Sequence, residues 1–385
     1  MTPVQAAELV LPRPRLEHLA RLTDDTGVIQ HALGALPLRS TGYTTDDNAR
    51  ALRVALQAAA AGDAQGAVLA QTCLAFLAYA QRSDGWFHNF FDYDRRPLPE
   101  TPSEDCQARS LWALAEAARA WAGCDLGWAA MELFHRGLPA CHRFRFARGW
   151  AGAAIAAAAW LIGEVDDDPP EGGLSTGEVA RILEEAADRL VAAWHRTRTP
   201  GWAWFEDVLT YDNALLPYAL LRAARATGDR RHRQVGLDAL AFLVEATFRE
   251  DVFWPIGNRG WWPRGGRRAE FAQQPLEAAG MVLACAEAWE LTGDAGWLER
   301  ARQAAAWFVG RNALGLSLYD PDTGGCRDGL EADGVNRNQG AESTLAWLTA
   351  AYAARRLPGT SVDEHARGVS MDDRTTTDGR EAVGA

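Results

Sequence analysis

The chain of 385 residues contains no lysine, and its 39 basic residues are all arginines. Lysine forms the Schiff base of many carbonyl-processing enzymes, anchors pyridoxal phosphate and contacts the phosphates in P-loop enzymes. The absence of this residue type therefore excludes three large classes of enzyme.

The six cysteines include no C-x-x-C pair, so the sequence lacks the spacing of a zinc ribbon or a thioredoxin-type redox motif. The N-terminus has no basic segment followed by an apolar run, and we therefore expect no signal peptide. The alanine-rich run at residues 151–162 is too short to cross a bilayer. These features predict a reduced, soluble, cytoplasmic protein.

Acidic residues outnumber basic ones, 51 to 39, and the formal net charge is −12. No basic stripe is present that would release counterions from a nucleic acid or bind an anionic membrane, so neither is expected as a partner. The composition, with 48% hydrophobic and 23% charged residues, is that of a globular protein with an ample core.

The most informative stretch is residues 40–52, STGYTTDDNARAL, which has the pattern of a loop entering a helix. Thr44 or the threonine after it can cap the first turn, where Asp46 and Asp47 favour the helix dipole. One interpretation is simply a well-capped helix. The other is that Tyr43, the two aspartates and Arg50 form part of a functional site.

Similar helix starts recur at intervals of 44 to 65 residues, near Asp47, Asp105, Gly149, Asp212, Glu277 and Glu342. Repeats of this length are typical of repeat architectures. The helices that begin there alternate with plain amphipathic helices, and an N-terminal helix makes twelve. We therefore predict an all-α fold, an (α/α)6 toroid of six helical hairpins in one domain (1–357), with a disordered polar tail (358–385).

Tryptophan is abundant, with 16 residues, and several lie in loops rich in glycine, proline or asparagine. Flat amphipathic rings beside a cleft are suited to stacking on sugars. The alternative is that these rings plug long loops. The loop tryptophans are Trp86, Trp202, Trp204, Trp254, Trp261 and Trp262.

The runs TGYTTDDNARAL (41–52) and QGAESTLAW (339–347) resemble a bacterial group within the six-hairpin superfamily of carbohydrate-active enzymes. Members of that group are associated with glycosyltransferase and mannoside-phosphorylase functions. The resemblance covers about residues 15–356. It implies an oligosaccharide or glycan substrate, but the same barrel hosts hydrolases, lyases, phosphorylases and epimerases.

Glycoside cleavage requires two carboxyl groups, a proton donor and a nucleophile or base. We expect Asp47 and Glu342 to be catalytic, with Asp207 and Asp105 next, and we expect the small apolar neighbours of Glu342 to raise its pKa by burial. The favoured reaction is inverting hydrolysis without a cofactor or metal. Candidates for substrate binding are Tyr43, Asp46, Arg50, Trp86, His88, Arg109, Trp204, Trp254, Arg259, Trp262, Glu277 and Arg337. Each acid is equally suited to capping or pairing within a helix start.

Two other functions remain open at this stage. A sugar isomerase or 2-epimerase needs bases of near-neutral pKa, for which His31 and His88 at the predicted rim are available. A carbohydrate-binding module serving a separate glycosyltransferase would need the aromatic loops but not paired acids. A terpene-cyclase-like role for Asp46 and Asp47 is disfavoured because Arg50 occupies the position where further acids are needed.

Overall fold

The computed structural model describes residues 8–163 and 170–363, and this part of the chain contains twelve α-helices. In chain order they are α1 Glu17–Leu22, α2 Thr45–Ala60, α3 Ala64–Ala80, α4 Glu104–Ala120, α5 Asp125–Gly137, α6 Ala147–Ile162, α7 Thr176–Thr197, α8 Leu215–Thr227, α9 Arg230–Thr247, α10 Pro275–Thr292, α11 Ala295–Ala306 and α12 Ala341–Ala354.

The even-numbered helices form a closed inner ring. α2 packs on α4, and contacts continue in order through α6, α8, α10 and α12, which packs back on α2. Each odd-numbered helix lies outside, against a neighbour in sequence, except that α1 packs on α12 and so joins the two ends of the ring. The predicted (α/α)6 toroid is confirmed.

Burial separates the two rings. In the inner helix α6, 13 of 16 residues are buried, and most of them are alanine. In the outer helix α7 only 9 of 22 are buried, along one face. A helix that is apolar on all sides must be enclosed, whereas an amphipathic helix covers a core with one stripe. The sequence pattern therefore distinguishes the inner helix α6 from the outer helix α7.

Close contact between inner helices depends on small residues. Gly152 on α6 faces Ala108 on α4, and a Cβ added at residue 152 would lie 2.3 Å from the Ala108 Cβ. We expect Gly152→Ala to lower the free energy of unfolding by about 1–3 kcal/mol, because the helices must separate. The measurement is the denaturant midpoint. Gly177→Ala is the matched control, since open space surrounds Gly177 on α7; equal midpoints for the two variants would contradict the packing argument.

Twelve short strands join the helices. They are β1 Leu9–Pro12, β2 Ala32–Leu33, β3 Leu36–Pro37, β4 Tyr43–Thr44, β5 Phe90–Phe91, β6 Val208–Leu209, β7 Phe248–Arg249, β8 Val252–Phe253, β9 Trp262–Pro263, β10 Gly329–Glu331, β11 Gly334–Asn336 and β12 Thr360–Asp363. They form six two-stranded sheets: β1–β12 is parallel, and the pairs β2–β3, β4–β5, β6–β9, β7–β8 and β10–β11 are antiparallel. The five antiparallel sheets lie in the loops that precede the inner helices and tie these loops together.

The β1–β12 pair corrects the predicted start of the tail. Leu9 pairs with Thr360 and Pro12 with Asp363, so residues 360–363 are ordered and not part of a disordered segment. The rest of the predicted tail, 364–385, lies outside the described residues. The sequence pattern did not predict the short polar strand β12, because its partner β1 lies some 350 residues earlier in the chain.

Helix α1 has only six residues, and helix α5 ends at Gly137. The chain continues as a 3-10 turn, Leu138–Arg143, because Pro139 has no N–H to donate. No helix in residues 8–163 and 170–363 combines the length and apolar character needed to cross a membrane.

Candidate active site

A cavity of about 360 Å³ opens at the N-terminal ends of α2, α10 and α12. Its described lining is mostly polar and comes from these helix starts and from four loops. The lining residues are Gln30, His31, Thr44, Asp46, Asp47, Asn89, Phe90, Asn258, Arg259, Ala272, Gln273, Gln274, Pro275, Asp328, Gly329, Glu331, Asn336, Gly340, Glu342 and Ser343.

The start of α2 provides the floor of this cavity. The Thr44 side chain caps the helix, because its Oγ accepts the backbone N–H of Asp47 at 3.1 Å. The same hydroxyl lies 2.7 Å from the Asp47 Oδ2. Asp46 and Asp47 are therefore both first-turn residues of a capped helix and components of the cavity, so the two interpretations of this sequence are compatible.

Arg50, one turn further along α2, joins three carboxyl groups. One of its terminal nitrogens lies 3.2 Å from Asp46, 3.3 Å from Asp47 and 2.9 Å from Glu342. Because they share one nitrogen, the contacting oxygens of Asp47 and Glu342 lie no more than about 6 Å apart, near the separations at which carboxyl pairs cleave glycosides.

Arg109 on α4 extends the charged network across the ring. Its terminal nitrogens contact Asp46 at 3.0 Å, Asp212 at 2.9 Å and Asp105 at 3.8 Å. The hydroxyl of Tyr211 also donates to Asp105 at 2.9 Å. Counting Asp47 and Glu342, the network holds five carboxyl groups for two guanidinium groups, a surplus of negative charge that favours a bound proton.

The proton is best placed on Asp47. Burial raises the pKa of Asp47 to about 7, and the nearby charges of Asp46 and Glu342 act in the same direction against Arg50. Burial also acts on Asp46, but the guanidinium groups of Arg109 and Arg50 outweigh it and lower the pKa of that carboxyl. Adjacent aspartates thus differ in protonation because only one of them is paired with both arginines.

The sequence predicted partial burial of Glu342, and the structure places the deeper burial at Asp47. The Glu342 side chain is 41% exposed, whereas that of Asp47 is 6% exposed. Small apolar neighbours in sequence do bury the rest of α12, but the first-turn position turns the Glu342 side chain toward the open cavity.

Glu277, predicted to bind substrate, lies beneath the site and not in the cavity. It accepts the backbone N–H of Asp212 at 2.5 Å and the side-chain amide of Asn213 at 3.1 Å. Burial, then the Asp212 charge, raises the pKa of Glu277 to about 7. Since Asp212 has a left-handed backbone, with φ 47°, Glu277 holds the strained turn that presents Asp212 to Arg109.

The predicted aromatic wall is not found. Trp204 is fully buried, and Trp86 is 8% exposed and packs against Phe144. Trp254 and Trp262 are half-buried and pack within the loops, where Trp262 contacts Trp202 edge-to-face. None of the four lines the cavity, where Phe90 is the single Phe, Tyr or Trp among the described residues. These tryptophans plug long loops.

Asp207 and Tyr43 are also outside the cavity. The Asp207 side chain is 69% exposed and pairs with Arg264 at 2.6 Å, away from the helix starts. Tyr43 is buried, and its hydroxyl donates to Asp24 at 2.7 Å. Neighbouring residues in sequence point in different directions here, since Thr44 lines the cavity while Tyr43 packs in the core.

Of the other residues predicted to bind substrate, some lie at the cavity and others do not. Arg50 and Arg109 form the network, and Arg259 lines the cavity with 78% of its side chain exposed. His88 does not line it and has Nδ1 4.0 Å from Glu100. Arg337 is exposed and does not line it either.

Sequence reasoning missed Asp328. It lies in the loop before α12, accepts the Ser343 hydroxyl at 2.6 Å and also accepts the Asn338 side-chain amide. Burial raises the pKa of Asp328. The Asp-Gly pair at 328–329 reads as an ordinary turn, so no local signal marks this carboxyl as part of the cavity.

Within residues 8–163 and 170–363, no group of three or more histidine, cysteine, aspartate or glutamate side chains is arranged to hold a metal ion.

Comparison with known proteins gives matches only at the level of structure. No family model matches the sequence, and no curated protein matches it. A cellobiose 2-epimerase from Bacillus thermoamylovorans superposes with a TM-score of 0.66 and 13% identity over 88% of this chain and 96% of its own. The chain has the six-hairpin (α/α)6 fold.

Two further structures share this six-hairpin fold. A D-mannose isomerase superposes with a TM-score of 0.64 and 10% identity over 88% of this chain and 95% of its own. A GH76 α-mannanase from Bacteroides thetaiotaomicron superposes with a TM-score of 0.59 and 10% identity over 88% and 93%. At these identities the likeness establishes the architecture, and the reaction has to be argued from the site.

Proposed function

We propose that this six-hairpin protein is a glycoside hydrolase that cleaves oligosaccharides, with Asp47 as the proton donor and Glu342 as the second carboxylate. The observation that carries the proposal is the pair itself. A buried carboxyl whose pKa is raised to about 7 and an exposed carboxylate share Arg50 at the floor of one cavity. Two carboxyl groups with different environments are what acid-assisted glycoside cleavage requires.

The distance between these groups favours retention over the inversion expected from the sequence. Inverting enzymes keep the two carboxyl groups roughly 6.5–9.5 Å apart, to admit a water molecule, and retaining enzymes roughly 5–5.5 Å apart. The two oxygens that share the Arg50 nitrogen, one from each carboxyl group, lie no more than about 6 Å apart, and we propose the retaining mechanism on the basis of this close contact.

The resulting reaction has two steps. Asp47 gives its proton to the glycosidic oxygen while the Glu342 carboxylate attacks the anomeric carbon, so the C–O bond to the leaving sugar breaks and a glycosyl ester forms. Water then attacks the same carbon, Asp47 takes its proton, and the free sugar and Glu342 carboxylate are restored. Arg50 holds both carboxyl groups in reach of the same bond.

The fold supports a carbohydrate substrate, but it does not distinguish among the reactions that enzymes of this architecture catalyse. The structures of this architecture include an enzyme of disaccharide epimerisation, a mannose isomerase and a mannanase. Amide side chains such as Asn89, Gln274 and Asn258 line the cavity and are suited to hydrogen bonds with sugar hydroxyls. Mannosides are the first substrates to test, because the sequence resemblance also points to them.

The pKa of Asp47 sets a testable pH dependence. In the acid role Asp47 must be protonated, so kcat/KM should fall as pH rises through about 7, by tenfold per unit well above that value. The measurement is the pH–rate profile, with circular dichroism at each pH as the control for folding. A rate that instead increases through pH 7 would assign Asp47 the role of a base.

Sugar 2-epimerisation is the second candidate, because His31 lines the cavity and faces Asp328 and Asn338. The other rim histidine, His88, lies outside the cavity, so this reaction would need a carboxylate as its second base.

The two reactions separate in one experiment. Defined α- and β-linked oligosaccharides are incubated in D₂O, with and without phosphate, and followed by NMR. Release of reducing ends with retained anomeric configuration supports the hydrolase. Phosphate-dependent cleavage, or deuterium at C2 of an intact sugar, would replace it with a phosphorylase or an epimerase.

A further inference from the structure

A second groove, of about 450 Å³, continues from the cavity across the loop before α10. The two spaces share Arg259, Ala272 and Glu331 as lining residues. The shared residues place the groove directly beside the cavity, within reach of a substrate longer than the cavity.

The wall of this groove is a built loop, residues 257–272. Gly257 donates its backbone N–H to the Ala269 carbonyl at 2.9 Å, and Ala269 donates to the Trp261 carbonyl at 2.8 Å. Gly257 also approaches the Phe271 backbone so closely that a Cβ would lie 1.9 Å from its carbonyl oxygen. These contacts fix the positions of the side chains that the loop presents.

The carboxylates of the groove already have arginine partners. Glu331 pairs with Arg259 at 3.3 Å, and Glu270 pairs with Arg249 at 2.5 Å. Their negative charge is therefore largely compensated by residues of the same loops.

Two further arginines in the groove have no carboxylate salt bridge among the described residues. Arg267 is exposed, and Arg268 is half-buried with its terminal nitrogens donating to the backbone carbonyls of Ala246 and Trp254. Burial lowers the pKa of Arg268 to about 10, which still leaves it cationic near neutral pH. A protein with a net charge of −12 thus lines this groove with three arginines against two glutamates, a local excess of positive charge beside its cavity.

We propose that this groove is a substrate subsite for an anionic sugar, one that carries a phosphate or a carboxylate at a position beyond the cleaved bond. Guanidinium groups bind such oxyanions through paired, charge-assisted hydrogen bonds, and Arg267 is free to turn toward them. The inference rests on the proposed function, because it assumes that an oligosaccharide occupies the main cavity.

The test measures binding without turnover. The full chain carrying Asp47→Asn is titrated by calorimetry with mannotetraose, with the same oligosaccharide phosphorylated at its terminal O6, and with one carrying a terminal uronate. The series is repeated after adding Arg267→Gln, and separately Arg181→Gln as the control, since Arg181 is an exposed arginine on the outer helix α7 whose partner is Glu178.

We expect at least one anionic oligosaccharide to bind about tenfold or more tightly than the neutral one. Arg267→Gln should reduce this preference about tenfold, whereas Arg181→Gln should leave it unchanged. Added salt should weaken the preference. The phosphate and uronate arms show which oxyanion is preferred. Equal or undetectable binding of all three ligands, or a preference that Arg267→Gln leaves intact, overturns the subsite.

These titrations, combined with an assay of sugar release, distinguish failure of the subsite from failure of the proposed function. If the anionic ligand binds through Arg267 but the unmutated protein releases no sugar from it, the subsite stands and the hydrolase does not. If neutral oligosaccharides are hydrolysed and charge makes no difference, the hydrolase stands and the subsite does not.

Discussion

Replacing Asp47 with asparagine is expected to lower kcat on an oligosaccharide substrate by about 10²–10⁴-fold, with little change in KM. Asparagine has nearly the same shape and still contacts Thr44 and Arg50, but it cannot give a proton to the glycosidic oxygen. Because the first step needs the acid only when the leaving group is poor, kcat/KM on an activated aryl glycoside should be affected much less. Its kcat should still fall, since Asp47 also takes the proton of water in the second step. The measurement is steady-state kinetics on both kinds of substrate.

Two further variants test the assignment of the catalytic pair. Glu342→Gln should lower the rates on both the oligosaccharide and the aryl glycoside, since every substrate needs the nucleophile. Asp207→Asn serves as the control, because that exposed carboxylate pairs with Arg264 outside the cavity. If Asp207→Asn were the more damaging change, or Asp47→Asn retained normal turnover, the assigned pair would be wrong.

Replacing Arg109 with methionine is expected to reduce the free energy of unfolding by about 3–5 kcal/mol. Arg109 contacts Asp46, Asp212 and Asp105, and its side chain is only 13% exposed. Loss of Arg109 removes a cation from buried carboxylates. The free-energy cost of leaving these carboxylates without it is much larger than the net stabilisation that an intact buried ion pair provides. Denaturant unfolding followed by circular dichroism gives the value.

The matched comparison is Arg264→Met, which removes an exposed arginine from its single carboxylate, Asp207. Such surface pairs contribute about 0–1 kcal/mol, so this variant should unfold near the wild-type midpoint. Adding Asp46→Asn to Arg109→Met should recover part of the loss, because it removes one of the negative charges that Arg109 balances. Equal destabilisation by the two arginine variants would show that the network has no special role in stability.

The sequence by itself was sufficient for the architecture. The recurrence of acidic helix starts such as those at Asp47 and Glu342, and the alternation of small-residue helices with amphipathic ones, are visible in the local sequence pattern. Both are short-range properties, which a single sequence displays. They predicted twelve helices in two rings, and they also placed Asp46, Asp47, Arg50 and Glu342 at the ends of inner helices.

Tertiary structure decided which residues face the cavity. Trp204 and Asp207 lie in loops as polar and irregular as the one that carries Asp328, yet only Asp328 lines the site. The direction of a loop side chain depends on long-range pairs such as β6 with β9, which no local pattern encodes.

The roles of the acids were decided in the same way. A pKa depends on burial and on charges brought from other helices, so Asp46 and Asp47 differ although they are adjacent and identical in type. The sequence determined that acids would gather at the helix starts; the closure of the ring, which brings Glu342 to Arg50 and Arg109 to Asp46, determined which of them holds the proton.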